Sequence, residues 1–164
     1  MKKLLLLLSL FTTPAWCESP SSVSTDVIIN LPIERTWVLF SSAEGLRDIG
    51  YTNASLTLKP NGNFHAERKL NDSSETIDGV ISSFDPQHML SWQWNQLPCW
   101  SVLYFNAMGN DMTQLRWIDL CGENKSADLQ SRAQQHRQLF DQLVRRNAPE
   151  CHVCKEEREA AQHP

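Results

Sequence analysis

The order of strands and helices can be read from three segments of the chain: DVIINLPIERTWVLF (26–40), LTLKPNGNF (56–64) and IDGVISSFDPQHMLSWQW (77–94). In the first segment, residues 27–31 are rich in β-branched side chains and predict a strand. Pro32 then sets the backbone for a helix start, and Ile33, Trp37 and Phe40 follow at helical spacing. This order predicts a first strand that leads directly into an amphipathic helix.

The residues that follow alternate between short apolar stretches and turns. A second, short helix is predicted over residues 41–49. Alternating apolar and polar residues, separated by turns rich in Pro, Gly, Asn and Asp, predict strands over residues 56–59, 64–70, 75–84 and 89–94. Together these elements indicate an α+β domain with an antiparallel sheet.

Residues 99–107 and 112–121 predict a hairpin around the turn at 109–110. In an antiparallel pair of strands, the residue numbers of two opposite residues add up to a nearly constant value. With the turn at 109–110, this places Cys99 opposite Cys121. A disulfide between these two cysteines is therefore geometrically reasonable. One face of the hairpin is apolar, with Leu103, Phe105, Leu115 and Trp117. The other face is mixed and leaves an edge contact or a homodimer open: Trp100, Val102, Tyr104, Arg116 and Ile118.

Residues 126–147 predict a long C-terminal helix that Ser126 can cap and that Pro149 follows. Its apolar side repeats every three or four residues through Leu129, Ala133, His136, Leu139, Phe140, Leu143 and Val144. His136 is the polar exception on that side.

Residues 148–164 form a polar tail that contains Cys151-His152-Val153-Cys154. Cleavage of a signal peptide after Cys17 would leave four cysteines. A local disulfide is the favoured interpretation, because exported chains with an even number of cysteines tend to pair them. A redox motif is less well supported, since no strand leads into it. A zinc site would need reduced cysteines. We expect no metal and no cofactor.

The N-terminus predicts export. Lys2 and Lys3 precede an apolar stretch at 4–11, and small residues favour cleavage after Cys17. The apolar stretch is too short to span a bilayer, and we expect no membrane span. A lipidated Cys17 is the alternative, which the bulky Trp16 disfavours. We therefore predict a periplasmic or secreted protein with a signal peptide at 1–17, a flexible start at 18–24 and one domain at 25–147.

The order of elements resembles the START-like (SRPBCC, helix-grip) superfamily, in its chaperone-ATPase-activator-like and polyketide-cyclase-like branch. The matching positions lie in the three quoted segments: Pro32, Trp37, Pro60, Gly62, Gly79, Ile81, Asp85, Pro86, Leu90 and Trp94. The chain departs from the pattern at residues 49–51, where many relatives have a Trp. Export also argues against chaperone activation as its role.

The resemblance implies a helix-grip fold, in which a curved antiparallel sheet wraps around a long C-terminal helix and two short helices follow the first strand. It also implies an apolar cavity between sheet and helix that holds a small apolar or amphipathic ligand. We expect the following side chains to line this cavity: Trp37, Phe40, Phe64, Trp92, Trp94, Leu103, Phe105, Trp117, His136 and Phe140.

Three polar side chains are candidates for orienting a ligand or moving a proton in such a cavity. His136 lies on the apolar side of the C-terminal helix, Arg68 shares its strand face with Phe64, and Asp119 shares its face with Trp117. The predicted function is binding of the small molecule. The alternatives are a cyclase/dehydratase- or hydrolase-type enzyme, or a protein-interaction module that uses the mixed face of the hairpin. Nucleic-acid binding is not expected, because the chain carries a net charge of −4 and no basic patch.

Overall fold

The computed structural model describes residues 21–69, 74–122 and 126–148. The predicted signal peptide with Cys17, and the tail cysteines Cys151 and Cys154, lie outside these residues. No helix within the described residues is long and apolar enough to cross a membrane.

The described residues form one seven-stranded antiparallel sheet in the order β1-β7-β6-β5-β4-β3-β2. Two short helices follow the first strand, and a long helix ends the described chain. The elements are β1 (Ser21–Ile29), α1 (Ile33–Ser41), α2 (Ala43–Asp48), β2 (Asn53–Leu56), β3 (Asn63–Lys69), β4 (Ser74–Asp85), β5 (Met89–Trp94), β6 (Cys99–Ala107), β7 (Thr113–Cys121) and α3 (Ser126–Arg146).

The helix α3 packs against the concave face of the curved sheet. The backbone carbonyl of Gln135 accepts a hydrogen bond from Arg68 in β3 at 3.0 Å. The ring of His136 stacks on Trp117 in β7, with ring centroids 3.9 Å apart. These contacts reach both halves of the sheet, and the predicted fold class, an α+β helix-grip architecture, is confirmed.

The first strand begins earlier than predicted. β1 starts at Ser21 and pairs with β7 over nine residues, from Ser21 opposite Cys121 to Ile29 opposite Thr113. The prediction of a flexible start was therefore wrong for residues 21–24. The small polar side chains in this part of β1 hide its strand character, because the strand has solvent on one face and few apolar residues to mark the other.

The predicted register of the β6–β7 hairpin is confirmed. Leu103 lies opposite Trp117 and Phe105 opposite Leu115. Cys99 lies opposite Cys121, and the two form a disulfide at the end of the hairpin next to the entry into α3.

The pairing of β4 with β5 is irregular. At Gly79 the strands approach closely, since a Cβ there would lie 2.2 Å from the carbonyl oxygen of Gln93. A register shift follows between Ile81 and Ser83, and such bulges increase the local twist of a strand. Glycine is therefore required at this point, and the strands can bend around the core.

Aromatic side chains fill most of the space under α3. Trp92 makes edge contacts with Phe64 and Trp117, at centroid distances of 4.9 and 5.3 Å. Near the first helix, Trp37 and Phe40 pack against Phe105. Edge-to-face packing of this kind adds to the stabilisation that comes from burial of the rings.

A candidate ligand site between the sheet and the C-terminal helix

A buried ion pair lies on the concave face where β3 meets β4. Arg68 and Glu75 are opposite each other in register, and their side chains are only 3% and 5% exposed. Arg68 Nη2 lies 2.6 Å from Glu75 Oε2, and Arg68 Nε donates to the same oxygen at 2.9 Å. Tyr51 Oη also reaches Glu75 Oε2, at 3.5 Å. Arg68 is thus held from several sides, and its guanidinium cannot leave the interior without breaking these contacts.

A second polar group lies under the middle of α3, around Asp119 in β7. Asp119 is fully buried, and its Oδ1 accepts a short hydrogen bond from Ser101 and a bond of 3.1 Å from Trp117 Nε1. Ser101 in turn accepts a hydrogen bond of 2.8 Å from Trp94 Nε1. These bonds link three neighbouring strands through side chains alone.

His136 lies above this group as a neutral imidazole. Burial, reinforced by the positive charges of Arg132 and Arg68, lowers the pKa of His136 to about 3. Its Nε2 is 3.8 Å from Asp119 Oδ2, which is too long for a hydrogen bond. The pair therefore sits close enough to exchange a proton through a bound group or a small rotation, without being bonded.

The carboxyl groups of the site hold their protons more strongly than usual. Burial raises the pKa of Glu75, even though the adjacent Arg68 opposes the shift. Burial likewise raises the pKa of Asp119 against the hydrogen bond from Ser101 and the charge of Arg132. The pKa of Tyr51 is also raised, by burial and then by the charge of Glu75.

These groups act on one another, so they form a single site. The charge of Asp119 contributes to the pKa of both Tyr51 and Glu75, and the charge of Arg132 contributes to that of Glu75, Asp119 and His136. We call this set the ionic cluster: Tyr51, Arg68, Glu75, Asp119, Arg132 and His136. A buried group of mutually perturbed ionisable side chains is typical of functional sites.

A groove connects the ionic cluster with the surface. It has a volume of about 380 Å³ and runs between β4, β5 and the N-terminal half of α3. Its lining consists of Ser74, Glu75, Thr76, Trp94, Leu97, Ser131, Arg132 and Gln135. Arg132 lies over the ring of Trp94, 3.6 Å from the ring centroid. The volume falls within the range of small-molecule sites, and Glu75, Trp94 and Arg132 belong to the groove wall.

Three buried polar atoms of this region have no hydrogen-bond partner among the described residues. They are Arg68 Nη1, Trp92 Nε1 and Asp119 Oδ2. An unsatisfied buried polar group costs about 1–3 kcal/mol. Two donors and one acceptor are therefore unsatisfied in the interior, behind the residues that line the groove.

A second, smaller groove lies at the other end of α3. It has a volume of about 200 Å³, and Arg146 spans it by donating to the carbonyl oxygen of Asp48 at 2.7 Å. Within the ranges that the structure describes, no group of three or more His, Cys, Asp or Glu side chains is arranged to hold a metal ion.

The structure brings the three predicted polar candidates together. Arg68, Asp119 and His136 all belong to the ionic cluster. The predicted cavity residues are all buried, and of these Trp94 lines the groove. The others belong to the hydrophobic core, except His136, which belongs to the ionic cluster. Two other polar side chains of the sheet lie outside the site. Arg116 pairs with Asp26 on the outer face of the sheet, and His65 lies half-buried between Glu67 and Asp78.

Glu75 and Arg132 were not anticipated from the sequence. A signal for Glu75 was present, since a turn centred on residues 71–72 gives a constant sum that places Glu75 opposite Arg68. A constant sum of residue numbers likewise places Cys99 opposite Cys121. For Arg132 there was no comparable signal, because a helix surface carries many arginines and only the packing angle of α3 directs this one towards Trp94.

Comparisons with known proteins identify the fold. No protein-family model matches the chain, and no curated protein matches it. Among solved structures, the protein NE0264 from Nitrosomonas europaea aligns with a TM-score of 0.60 and 13% identity, over 78% of this chain and 97% of that one. CalU16 from Micromonospora echinospora aligns with a TM-score of 0.61 and 19% identity, over 87% of this chain and 85% of that one.

A third similar structure is DynU16, a protein in the dynemicin biosynthetic locus. It aligns with a TM-score of 0.61 and 14% identity, over 76% of this chain and 46% of DynU16. At such identities the likeness shows a common fold and nothing more. It is compatible with the helix-grip fold of the SRPBCC type that the sequence resembles.

Proposed function

We propose that this protein binds one small apolar or amphipathic molecule between the sheet and α3. The polar end of the molecule lies against the ionic cluster, and its apolar part extends along the groove beside Trp94 and Leu97. The observation that carries this proposal is the set of partnerless buried atoms next to an open groove. Arg68 Nη1, Trp92 Nε1 and Asp119 Oδ2 are left without hydrogen bonds among the described residues, and a polar ligand would satisfy them.

The similar structures are in keeping with this proposal. DynU16 lies in a biosynthetic locus, as expected for a fold that handles small molecules. A fold supports many functions, so the proposal rests on the site and not on the likeness.

We also propose that binding takes place outside the cytoplasm, in the periplasm or beyond. The Cys99–Cys121 disulfide supports this location, because disulfides persist in oxidising compartments. The charged and apolar start of the sequence has the pattern of a signal peptide.

Native mass spectrometry of the exported protein tests the proposal, with the denatured mass of the same sample as reference. We expect an added mass that is lost on denaturation. Ser131→Trp fills the groove and should abolish the added mass, whereas Gln138→Trp places the same ring on an exposed part of α3 and should retain it. An added mass that persists unchanged in the Ser131→Trp variant would place the ligand elsewhere.

An enzyme of the cyclase/dehydratase or hydrolase type is the second candidate. The geometry of Asp119 and His136 favours it. The carboxyl of Asp119 has a raised pKa, and its Oδ2 lies 3.8 Å from Nε2 of the neutral His136. An acid beside a base can move a proton on a molecule bound between them. If the bound molecule changes chemically on incubation, Asp119→Asn and His136→Gln should stop the change and leave the added mass in place. If both variants converted the molecule as fast as the wild type does, Asp119 and His136 would be excluded as the catalytic pair.

A further inference from the structure

The outer face of the sheet carries three of the six exposed large apolar side chains among the described residues. Trp100 and Tyr104 of β6 are 43% and 42% exposed, and Ile28 of β1 is 48% exposed. Val102, Ile118 and Leu120 are half-buried beside them, since register places Val102 opposite Ile118 and Trp100 opposite Leu120. We call this set the outer patch: Trp100, Val102, Tyr104, Ile118 and Leu120. An aromatic and aliphatic patch of this kind is typical of an interaction surface.

The charges around the outer patch are balanced. Among the positions of β1, β7, β6 and β5 that alternate onto this face, the charged residues are Arg116 and Asp26. They pair with each other, with Arg116 Nε 2.6 Å from Asp26 Oδ1. The whole chain carries a net charge of −4, so two copies repel each other in general. The outer patch is a face through which a second copy can approach without excess like charge.

The size of the face sets the strength of such a contact. Four strands about 4.8 Å apart, each contributing about seven residues of about 3.3 Å, give a projected area of roughly 450 Å² per copy. Stable complexes bury about 800 Å² per partner, and smaller contacts are weak or transient. The face therefore fits a weak, reversible dimer better than a permanent one.

From these observations we propose that the outer patch is a dimer interface, and that its occupant is the same patch of a second copy of this chain. Trp100 and Tyr104 supply the buried aromatic anchors, and the Arg116–Asp26 pair lies beside Tyr104. The contact is independent of the proposed ligand, because side chains on the two faces of a strand alternate and the ionic cluster lies on the opposite face.

Sedimentation velocity over about 5 to 500 µM protein tests this proposal, since a face of this size fits a weak, transient contact. We expect the wild type to pass from monomer to dimer across this range. Trp100→Lys should weaken the association at least tenfold, because an aromatic anchor is replaced by a charge. Tyr104→Lys should weaken it in the same direction, and it serves as a second variant if Trp100→Lys is poorly folded.

Val38→Lys is the matched control. Val38 is also an exposed apolar residue, at 53%, but it lies on α1 and away from the outer patch, so this variant should dimerise as the wild type does. Circular dichroism and the unfolding midpoint of each variant confirm that it is folded. A wild type that remains monomeric at the highest concentration overturns the proposal, as would happen if another segment of this chain covered the patch. Equal association of wild type, Trp100→Lys and Tyr104→Lys also overturns it.

Discussion

At the scale of single residues, Arg68 and Glu75 form a buried pair in which each charge compensates the other. Removing one partner of a buried pair leaves an uncompensated charge and costs about 3–5 kcal/mol. We therefore expect Arg68→Met to lower the free energy of unfolding by about that amount, measured by urea denaturation. The double variant Arg68→Met/Glu75→Leu should recover most of the loss, because neither charge then remains.

The exposed pair of Arg116 and Asp26 provides the control for this prediction. Its side chains are 51% and 41% exposed, and exposed pairs contribute about 0–1 kcal/mol. Arg116→Met should therefore change the stability of the monomer by less than about 1 kcal/mol. A double variant at Arg68 and Glu75 that is no more stable than Arg68→Met alone would show that the loss comes from packing and not from the unpaired charge.

His136 should make the protein less stable in mild acid. In the unfolded chain its pKa is near the ordinary histidine value of 6.5, and in the folded protein it is about 3. Between these pH values the unfolded state binds the additional proton, so this contribution to stability falls as the pH falls. From pH 7 to pH 5 it should remove about 2 kcal/mol.

The raised pKa values of Glu75 and Asp119 act in the opposite direction, since they favour the folded state where it binds more protons. Comparison with His136→Gln isolates the histidine. The free energies of unfolding of wild type and His136→Gln, from urea denaturation at each pH, should differ increasingly below pH 6.5. Only the wild type loses the contribution of His136 as the pH falls. Parallel curves would mean that folding leaves the pKa of His136 unchanged.

The sequence located several of these residues without locating the site they make. Strand parity correctly placed Arg68 and Asp119 on the inner face, and helical spacing placed His136 there. The alternation of side chains along a strand shows which face of the sheet Asp119 occupies, but not how deeply it is buried. An open rim of the sheet was therefore compatible with the sequence, and Asp119 is in fact fully buried. How far a side chain lies from solvent depends on the position of α3, which no local pattern encodes.

At the scale of elements, the disulfide closes the β6–β7 hairpin at the end where the groove and α3 begin. The cysteines are separated by 22 positions, and closing a loop of that size stabilises by about 3 kcal/mol in the chain-entropy model. We expect Cys99→Ala/Cys121→Ala to lower the free energy of unfolding by about that amount. Reduction of the wild type should have a similar effect, and a reduced protein as stable as the oxidised one would contradict the prediction.

The β6–β7 hairpin shows why some strands could be predicted in full, whereas only the second half of β1 could. The hairpin register followed from a turn of known position and from cysteines and aromatics that mark one face. In β1, the serines Ser21, Ser22 and Ser24 carry no such signal. Their place in the sheet comes from pairing with β7, a partner about 90 residues away in the sequence. Pairing between distant strands overrides weak local propensity.

At the scale of the whole molecule, one sheet separates two proposed surfaces. The ionic cluster and the groove lie on the concave face, and the outer patch lies on the convex face of some of the same strands. Neighbouring side chains along β6 belong to different surfaces, as with Trp100 outside and Ser101 inside. A packed sheet has no second arrangement in which a change on one face reorganises the other, so the two surfaces should be energetically independent.

This independence can be measured with variants that each alter one face. Trp100→Lys should leave the affinity for a bound molecule within about twofold of wild type, and Ser131→Trp should leave the dimer dissociation constant within the same limit, a coupling below about 0.4 kcal/mol. Native mass spectrometry reports the first quantity and sedimentation velocity the second. A reciprocal change of tenfold or more would mean that binding and dimerisation share a movable element. The strand β6, which contributes to both faces, would then be the first place to look for it.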